Sequence, residues 1–360
     1  MLTNALQALK ANSLKTTLIY FSLTFSIVSI FLINSIANGI IGMYSTMLKN
    51  DGDIIVTQAK ISDTFFSNVD IKLIDKIKKI SGVNDASAIT IGASPVENLP
   101  IVAVYGVTKN RFKNYKLLEN TYPKEDEALV GESIYKSLQN KKNITIANKE
   151  FRISGIFKSD IGFENGGVVL NIEDAGKIFN KSASMIMINA NMDRNIDTII
   201  EQIKTLDKNI DAKSTESFVT NYNQFKIIKT SSSVISFIAF CMGLIGIVSI
   251  MSITINQRKS EFGIKRAIGV PMKKILLGII TEGSLLGFIS FLSAFFISNI
   301  ALFFIKNSSH LQGYVNGEIS SSLALGIFIA SMVMVITGSI LPALNAAKTD
   351  PVVLIQGNRI

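Results

Sequence analysis

The chain has 360 residues, 48% of them hydrophobic and only 18% charged, with a formal net charge of +9; soluble domains carry about 25% charge. The single Cys241 excludes an internal disulfide, and the single His310 leaves too few ligands for a histidine-based catalytic triad or a zinc cluster. Charges crowd into residues 49–229 and one short loop, which indicates a membrane protein with a water-facing insert.

Residues 1–48 comprise a short segment with Lys10 and Lys15 and then the first of four apolar stretches, about Thr17–Ile41. A spanning helix needs roughly 20 mostly apolar residues. Ser35-Ile36-Ala37 resembles a signal-peptide cleavage site, but the uncharged stretch runs on to Leu48, so the span is expected to be retained. Residues 49–229 alternate strand and helix patterns. Asp53–Gln58, Ile101–Val107, Ile144–Ala147, Phe151–Phe157, Val168–Asn171 and Met185–Ala190 read as strands. Ile71–Ile80, Ser133–Gln139, Glu173–Phe179 and Ile196–Leu206 read as helices, and Phe218–Lys229 starts a helix that continues into the second span. An α+β domain inserted between spans one and two is expected.

Nothing in that domain has catalytic spacing. Asp160, Glu164, Glu173 and Asp174 lack the pattern of a calcium loop, and Gly166-Gly167 reads as a turn before a strand. No metal site is expected. No Gly-x-x-x-x-Gly-Lys-Ser/Thr run occurs, so ATP is not expected to bind here through a P-loop.

Residues 230–360 hold the other spans, about Ser231–Ile255, Ile275–Ile305 and Ser320–Leu344. Ala239-x-x-x-Gly243 and Gly283-x-x-x-Gly287 are small-residue pairs that permit close helix packing, within the bundle or between copies. Glu282 is the one acid inside a span. Two readings fit it: a group that relays protons or binds a cationic cargo, or a carboxylate that snorkels or pairs beside Lys273 and Lys274. Pro342 should kink or end span four, Asp350-Pro351 suits the start of a short helix, and Cys241 suits inert packing.

The basic excess is a topology signal and does not point to nucleic acid. Residues 49–229 nearly balance, with 25 basic and 23 acidic residues, while the loop between spans two and three sets six basic residues against Glu261. Lys and Arg mark the cytoplasmic side. Both termini and the 257–274 loop are therefore expected inside the bacterial inner membrane, and residues 45–229 outside.

That loop, Asn256–Ile275, reads as a helix near 259–268 stopped by Gly269 and Pro271. At 100° per residue, Ile264, Ala267 and Ile268 share one side, suited to the membrane surface or the ends of the spans. Lys259, Phe262, Lys265 and Arg266 share the other, with Glu261 at its edge. Phe262 thus stands among charges, as an interface anchor would. A basic amphipathic helix resting on anionic lipid fits the same pattern.

The run Glu261–Gly269 (EFGIKRAIG) resembles the "R-E-x-G-I-L-R-A-I-G-A" signature of FtsX-like and MacB-like ABC permeases. Leu341–Val352 (LPALNAAKTDPV) is similar to the family's "P-A-x-x-A-A-x-x-D-P-V", and Ala128–Phe157 with Gly167–Ala175 look like its extracytoplasmic core. The resemblance implies a permease without a fused ATPase. Its coupling helix would dock in a groove of a separate ATP-binding cassette subunit that holds ATP and magnesium. Two permeases, alike or homologous, would work with two ATPases. Motion of the coupling helix would pass through spans one and two to the outer domain, which would move a hydrophobic, lipidated or peptide cargo or activate an outer partner. The residues before the motif, Asn256–Ser260, are less acidic than usual. Two other classes fit parts of the sequence: an ion-coupled transporter or membrane enzyme using Glu282, and a sensor, which would need a larger cytoplasmic domain.

Overall fold

The computed structural model describes residues 13–138, 141–159, 162–191, 195–307 and 317–347. Lys10, Asp160, His310, Lys348, Arg359 and the Asp350-Pro351 helix start lie outside them. Among the described residues four helices are long and apolar enough to cross a membrane: α1 (Ser13–Asp51), α8 (Asn223–Gln257), α10 (Met272–Asn307) and α11 (Ser321–Ala347). At 1.5 Å per residue, the 39 residues of α1 extend about 58 Å, nearly twice the roughly 30 Å of a bilayer core. The chain divides into two compact units, and the division falls inside α1, between Asn38 and Gly39, and in the first turns of α8, between Ile228 and Lys229.

The α+β unit is built on one sheet. Its strands are β1 (Ile54–Gln58), β2 (Val83–Val96), β3 (Leu99–Val107), β4 (Lys116–Asn120), β5 (Glu127–Gly131), β6 (Asn143–Ile146), β7 (Lys149–Lys158), β8 (Val168–Asn171), β9 (Met185–Ala190) and β10 (Ile210–Ser214). Their order is β10-β1-β9-β2-β3-β8-β5-β7-β4, with β6 off this path and paired to β2 and β7. The pairs are antiparallel except β3 with β8 and β5 with β7. Between the strands lie α2 (Leu73–Ile77), α3 (Glu132–Ser137), α4 (Gly162–Asn165), α5 (Ile172–Phe179), α6 (Ile196–Leu206) and α7 (Thr215–Asn221).

Side chains alternate across a strand. Ile54, Val56, Ile186 and Ile188 pack with Leu73, Ile74, Ile77 and Ile203 of α2 and α6. Ile55, Met185 and Met187 point the other way, onto Met47 and Leu48 at the end of α1. Both faces are covered, which is why Met185–Ile188 of β9 are all apolar and buried.

The sequence reading missed β2, β4, β5 and β10, of which β2 is the longest. In β2, VNDASAITIGASPV, the β-branched run Ile89-Thr90-Ile91 is set between small and polar residues and the turn formers Gly92 and Pro95. The structure supplies the reason. A side chain at Gly92 would collide with the ring of Phe179, so α5 lies almost on the strand backbone. β6 and β7 form a hairpin whose turn is Ala147-Asn148, both at positive φ.

In the membrane unit Pro342 does not end α11, which continues to Ala347. Buried hydrophobic side chains of α1, α8, α10 and α11 form its core, among them Ile19, Leu23, Ile247, Met251, Ile279, Leu286, Met334 and Val335.

Candidate functional site

The loop helix α9 spans Lys259–Ala267. Its end is held by two hydrogen bonds, Gly269 N–H to the Arg266 carbonyl at 3.0 Å and Val270 N–H to the Lys265 carbonyl at 3.0 Å. This is the Schellman arrangement, and it requires a left-handed residue after the cap. Gly269, at φ +90°, supplies it.

Phe262 of α9 faces inward, not outward as expected. Phe262 is 5% exposed and lies in the membrane-unit core with Ile255, Ile275 and Ile279. Ile264 is 53% and Ile268 is 74% exposed. The sequence expectation that Phe262 stands out as an anchor is therefore corrected. Burying a large ring stabilises by about 1.5–3 kcal/mol. The signal was present: Ile247, Met251 and Ile255 form the inward stripe of α8, and Phe262 continues it seven residues on. Gly263, also buried, adds no side chain on that inner side.

The charges are organised around Arg258, at the junction of α8 and α9. Its Nε donates to Glu261 Oε2 at 3.0 Å, its Nη1 donates to Glu282 Oε2 at 2.8 Å, and its guanidinium lies 5.1 Å from the Phe262 ring centre. Glu282 therefore pairs with Arg258, not with Lys273 or Lys274, which are exposed. Burial pulls the Arg258 guanidinium down, but Glu261 and Glu282 outweigh it and hold it above its ordinary value. Burial raises the Glu261 carboxyl, and Arg258 with Lys265 (2.6 Å) more than reverse that, leaving it below the usual range. Lys259, Lys265 and Arg266 are half-buried along the sides of α9, and Ser260, Glu261 and Ala267 join the two isoleucines on its outer face.

The small-residue pairs lie at close approaches within the bundle. A side chain at Gly243 would come within 2.7 Å of Met334 and 2.9 Å of Ser26, and one at Gly287 within 2.7 Å of Val335. A side chain at Gly283 would collide with Ser339. Ala239 packs against the cluster of Ile27 and Phe31.

The α+β unit holds a tie that the sequence did not reveal. Asp51, the last residue of α1, is buried and forked by buried Arg111, Nε to Oδ1 at 3.1 Å and Nη2 to Oδ2 at 2.5 Å. Asn114 also donates to Asp51 at 3.2 Å, and Arg111 to the Tyr115 hydroxyl. Burial alone would lower the Arg111 guanidinium; Tyr115 and Asp51 hold it above its ordinary value. Glu164 nearby is pushed up by burial, against the pull of Arg111. The sixty-residue separation of Asp51 and Arg111 leaves no local pattern to read.

Two family models match this chain: the MacB-like periplasmic core domain over residues 16–206, more than half of it, and the FtsX-like permease C-terminal region over residues 233–351. The chain is an FtsX-like permease with a MacB-like periplasmic core domain. The MacB-like part takes in α1 and most of the sheet, and the FtsX-like part takes in α9, Arg258 and Glu282. Among its relatives is an uncharacterised ABC transporter permease of Methanocaldococcus jannaschii, 26% identical over 227 residues, covering 59% of this chain and 57% of the relative. A pyoverdine export ATP-binding/permease protein of Pseudomonas aeruginosa is 32% identical over 118 residues, covering 33% of this chain and 17% of the relative. The alignments thus span about half of the archaeal permease and a sixth of the exporter. The crystal structure of the periplasmic region of MacB from Actinobacillus actinomycetemcomitans covers 46% of this FtsX-like permease and 90% of that chain, with a TM-score of 0.39 and 14% identity.

Proposed function

We propose that this FtsX-like permease is the membrane subunit of an ABC transport or mechanotransmission complex, and that α9 docks on a separate ATPase subunit carrying ATP and magnesium. The observation that carries this reading is the build of α9. Its inner side is anchored by Phe262 and by the Arg258–Glu282 pair, so it moves with α8 and α10 as one piece. Its outer side offers Ile264 and Ile268 with Glu261, and Lys259, Lys265 and Arg266 flank them. An apolar centre with a charged rim is the make-up of a protein interface. Glu282, held by arginine, serves as a brace in this reading and not as a proton relay.

The permease works as a pair, with a second copy or a homologue. The termini and α9 face the cytoplasm and the α+β domain lies outside, in accord with the basic loop. Force passes along α1 and α8, whose lengths exceed a bilayer, and enters the sheet where Asp51 is forked by Arg111. The cargo is hydrophobic, lipidated or a peptide, or the domain activates an outer partner. The test is co-purification with the ATPase and permease-dependent ATP hydrolysis. Ile264→Asp and Ile268→Asp should each abolish both while the permease stays folded; wild-type behaviour of both variants refutes docking through α9.

A further inference from the structure

A cavity of about 410 Å³ opens in the α+β unit beside the end of α1 and the start of α8. Six rings line it: Tyr44, Phe65, Phe66, Tyr105, Tyr222 and Phe225. Tyr44 and Tyr222 are stacked with their planes 2° apart and centroids 6.2 Å apart, and Phe225 stands edge-on to both, at 5.3 and 5.1 Å. Phe65 and Phe66 are exposed on a short 3-10 turn at Thr64–Phe66.

One carboxylate belongs to this wall. Asp63 Oδ1 accepts from the Phe65 N–H at 2.9 Å and the Tyr222 hydroxyl at 2.7 Å, and Oδ2 accepts from Gln224 Nε2 at 3.0 Å. All three donors are neutral. Among the described residues no lysine or arginine forms an ion pair with Asp63. Of the bases around it, Lys60 lines the adjoining groove, and two others are engaged elsewhere. Lys181 Nζ donates to the carbonyls of Phe65 at 2.8 Å and Ile91 at 2.6 Å, and Asp63 reaches it only as a more distant charge. Lys213 pairs with Asp211 at 2.8 Å.

A carboxylate held only by neutral hydrogen-bond donors among ring faces favours a cation, as Lys181 already shows with its Nζ 5.3 Å from the Phe65 ring centre. The faces attract it through their quadrupoles, and the remaining apolar wall covers an apolar body. A neutral hydrophobe gains nothing from Asp63, and an anion is repelled by it. We infer that this cavity binds a hydrophobic organic cation, a tertiary or quaternary amine on an apolar chain or ring, with Asp63 as its counter-ion. The site rests on the cavity's own chemistry; that its occupant is the transported cargo rests on the function proposed above.

The chain contains no tryptophan, so Phe66→Trp sets a single indole reporter at the rim. The full chain in lipid nanodiscs is titrated with octyltrimethylammonium, octanol and octanoate. The ammonium should give a saturable emission change and bind about tenfold tighter than either analogue. Asp63→Asn, which keeps an acceptor for Phe65 and Tyr222, should weaken ammonium binding about tenfold and leave octanol unchanged. Ile91→Phe, which fills the cavity from β2, should weaken all three probes. Equal affinity for the three probes, or an unchanged ammonium affinity in Asp63→Asn, overturns the cation reading. Unchanged binding in Ile91→Phe overturns the cavity as the site. The titration needs neither ATP nor a partner, so its failure leaves docking through α9 standing, and the failure of docking leaves this site standing.

Discussion

Replacing Phe262 by alanine removes a ring packed among Ile255, Ile275 and Ile279. Truncating a buried phenylalanine costs about 3–5 kcal/mol. Loss of the Arg258 contact over the ring, at 5.1 Å, adds about 0.5–1 kcal/mol. Phe262→Leu keeps most of the buried volume and should cost about half as much. The assay pairs thermal unfolding of the purified permease with capture of the ATPase subunit. Stability should fall in the order wild type, leucine, alanine, and the leucine variant should still capture the ATPase. The opposite pattern refutes the reasoning. If Phe262→Ala unfolds at the wild-type temperature yet captures no ATPase, the ring is an interface anchor and the inward orientation of α9 is wrong.

Arg258→Met and Glu282→Met each strand a largely buried charge, at 16% and 14% exposure. Each should cost about 1–3 kcal/mol, less than the 3–5 of a fully buried pair because solvent reaches both groups. The double variant should recover more than half of the summed loss, and strict additivity in a double-mutant cycle would remove the brace. Glu164 is buried with its carboxyl pushed above its ordinary value of 4.5, so the folded state binds its proton more tightly than the unfolded state does. Its contribution therefore weakens the fold as pH rises through that window. Glu164→Gln should raise the melting temperature at pH 7, with the gain shrinking to nothing below about pH 4.5; a gain independent of pH contradicts the assignment. Gly283→Ala, which drives a methyl into Ser339, should cost about 1–3 kcal/mol, whereas Gly278→Ala in the same helix meets nothing within 4 Å and should be neutral or stabilising. Equal melting temperatures for the two variants would show that the α10–α11 approach is looser than described.

Hydropathy made the four spans legible, because twenty apolar residues have few soluble fates. Period and turn residues made most of the α+β domain legible, including β9, α5 and α6. The family motif in Glu261–Gly269 was legible as well, and the family models agree with it. What escaped was everything set by partners distant in the chain. β2 carries glycine at position 92 because Phe179 of α5 presses on it, a demand that exists only after folding. Glu282 found Arg258, and Asp51 found Arg111, across 24 and 60 residues.

For α9, the sequence by itself determined a short helix with a glycine stop and a charged, partly apolar surface. Which side faces outward depended on the core beneath it. Helical periodicity ranks faces by composition alone, whereas burial is decided by the site that a side chain can fill. Here the spans leave room for one ring at Phe262, and so Ile264 and Ile268 are the residues presented.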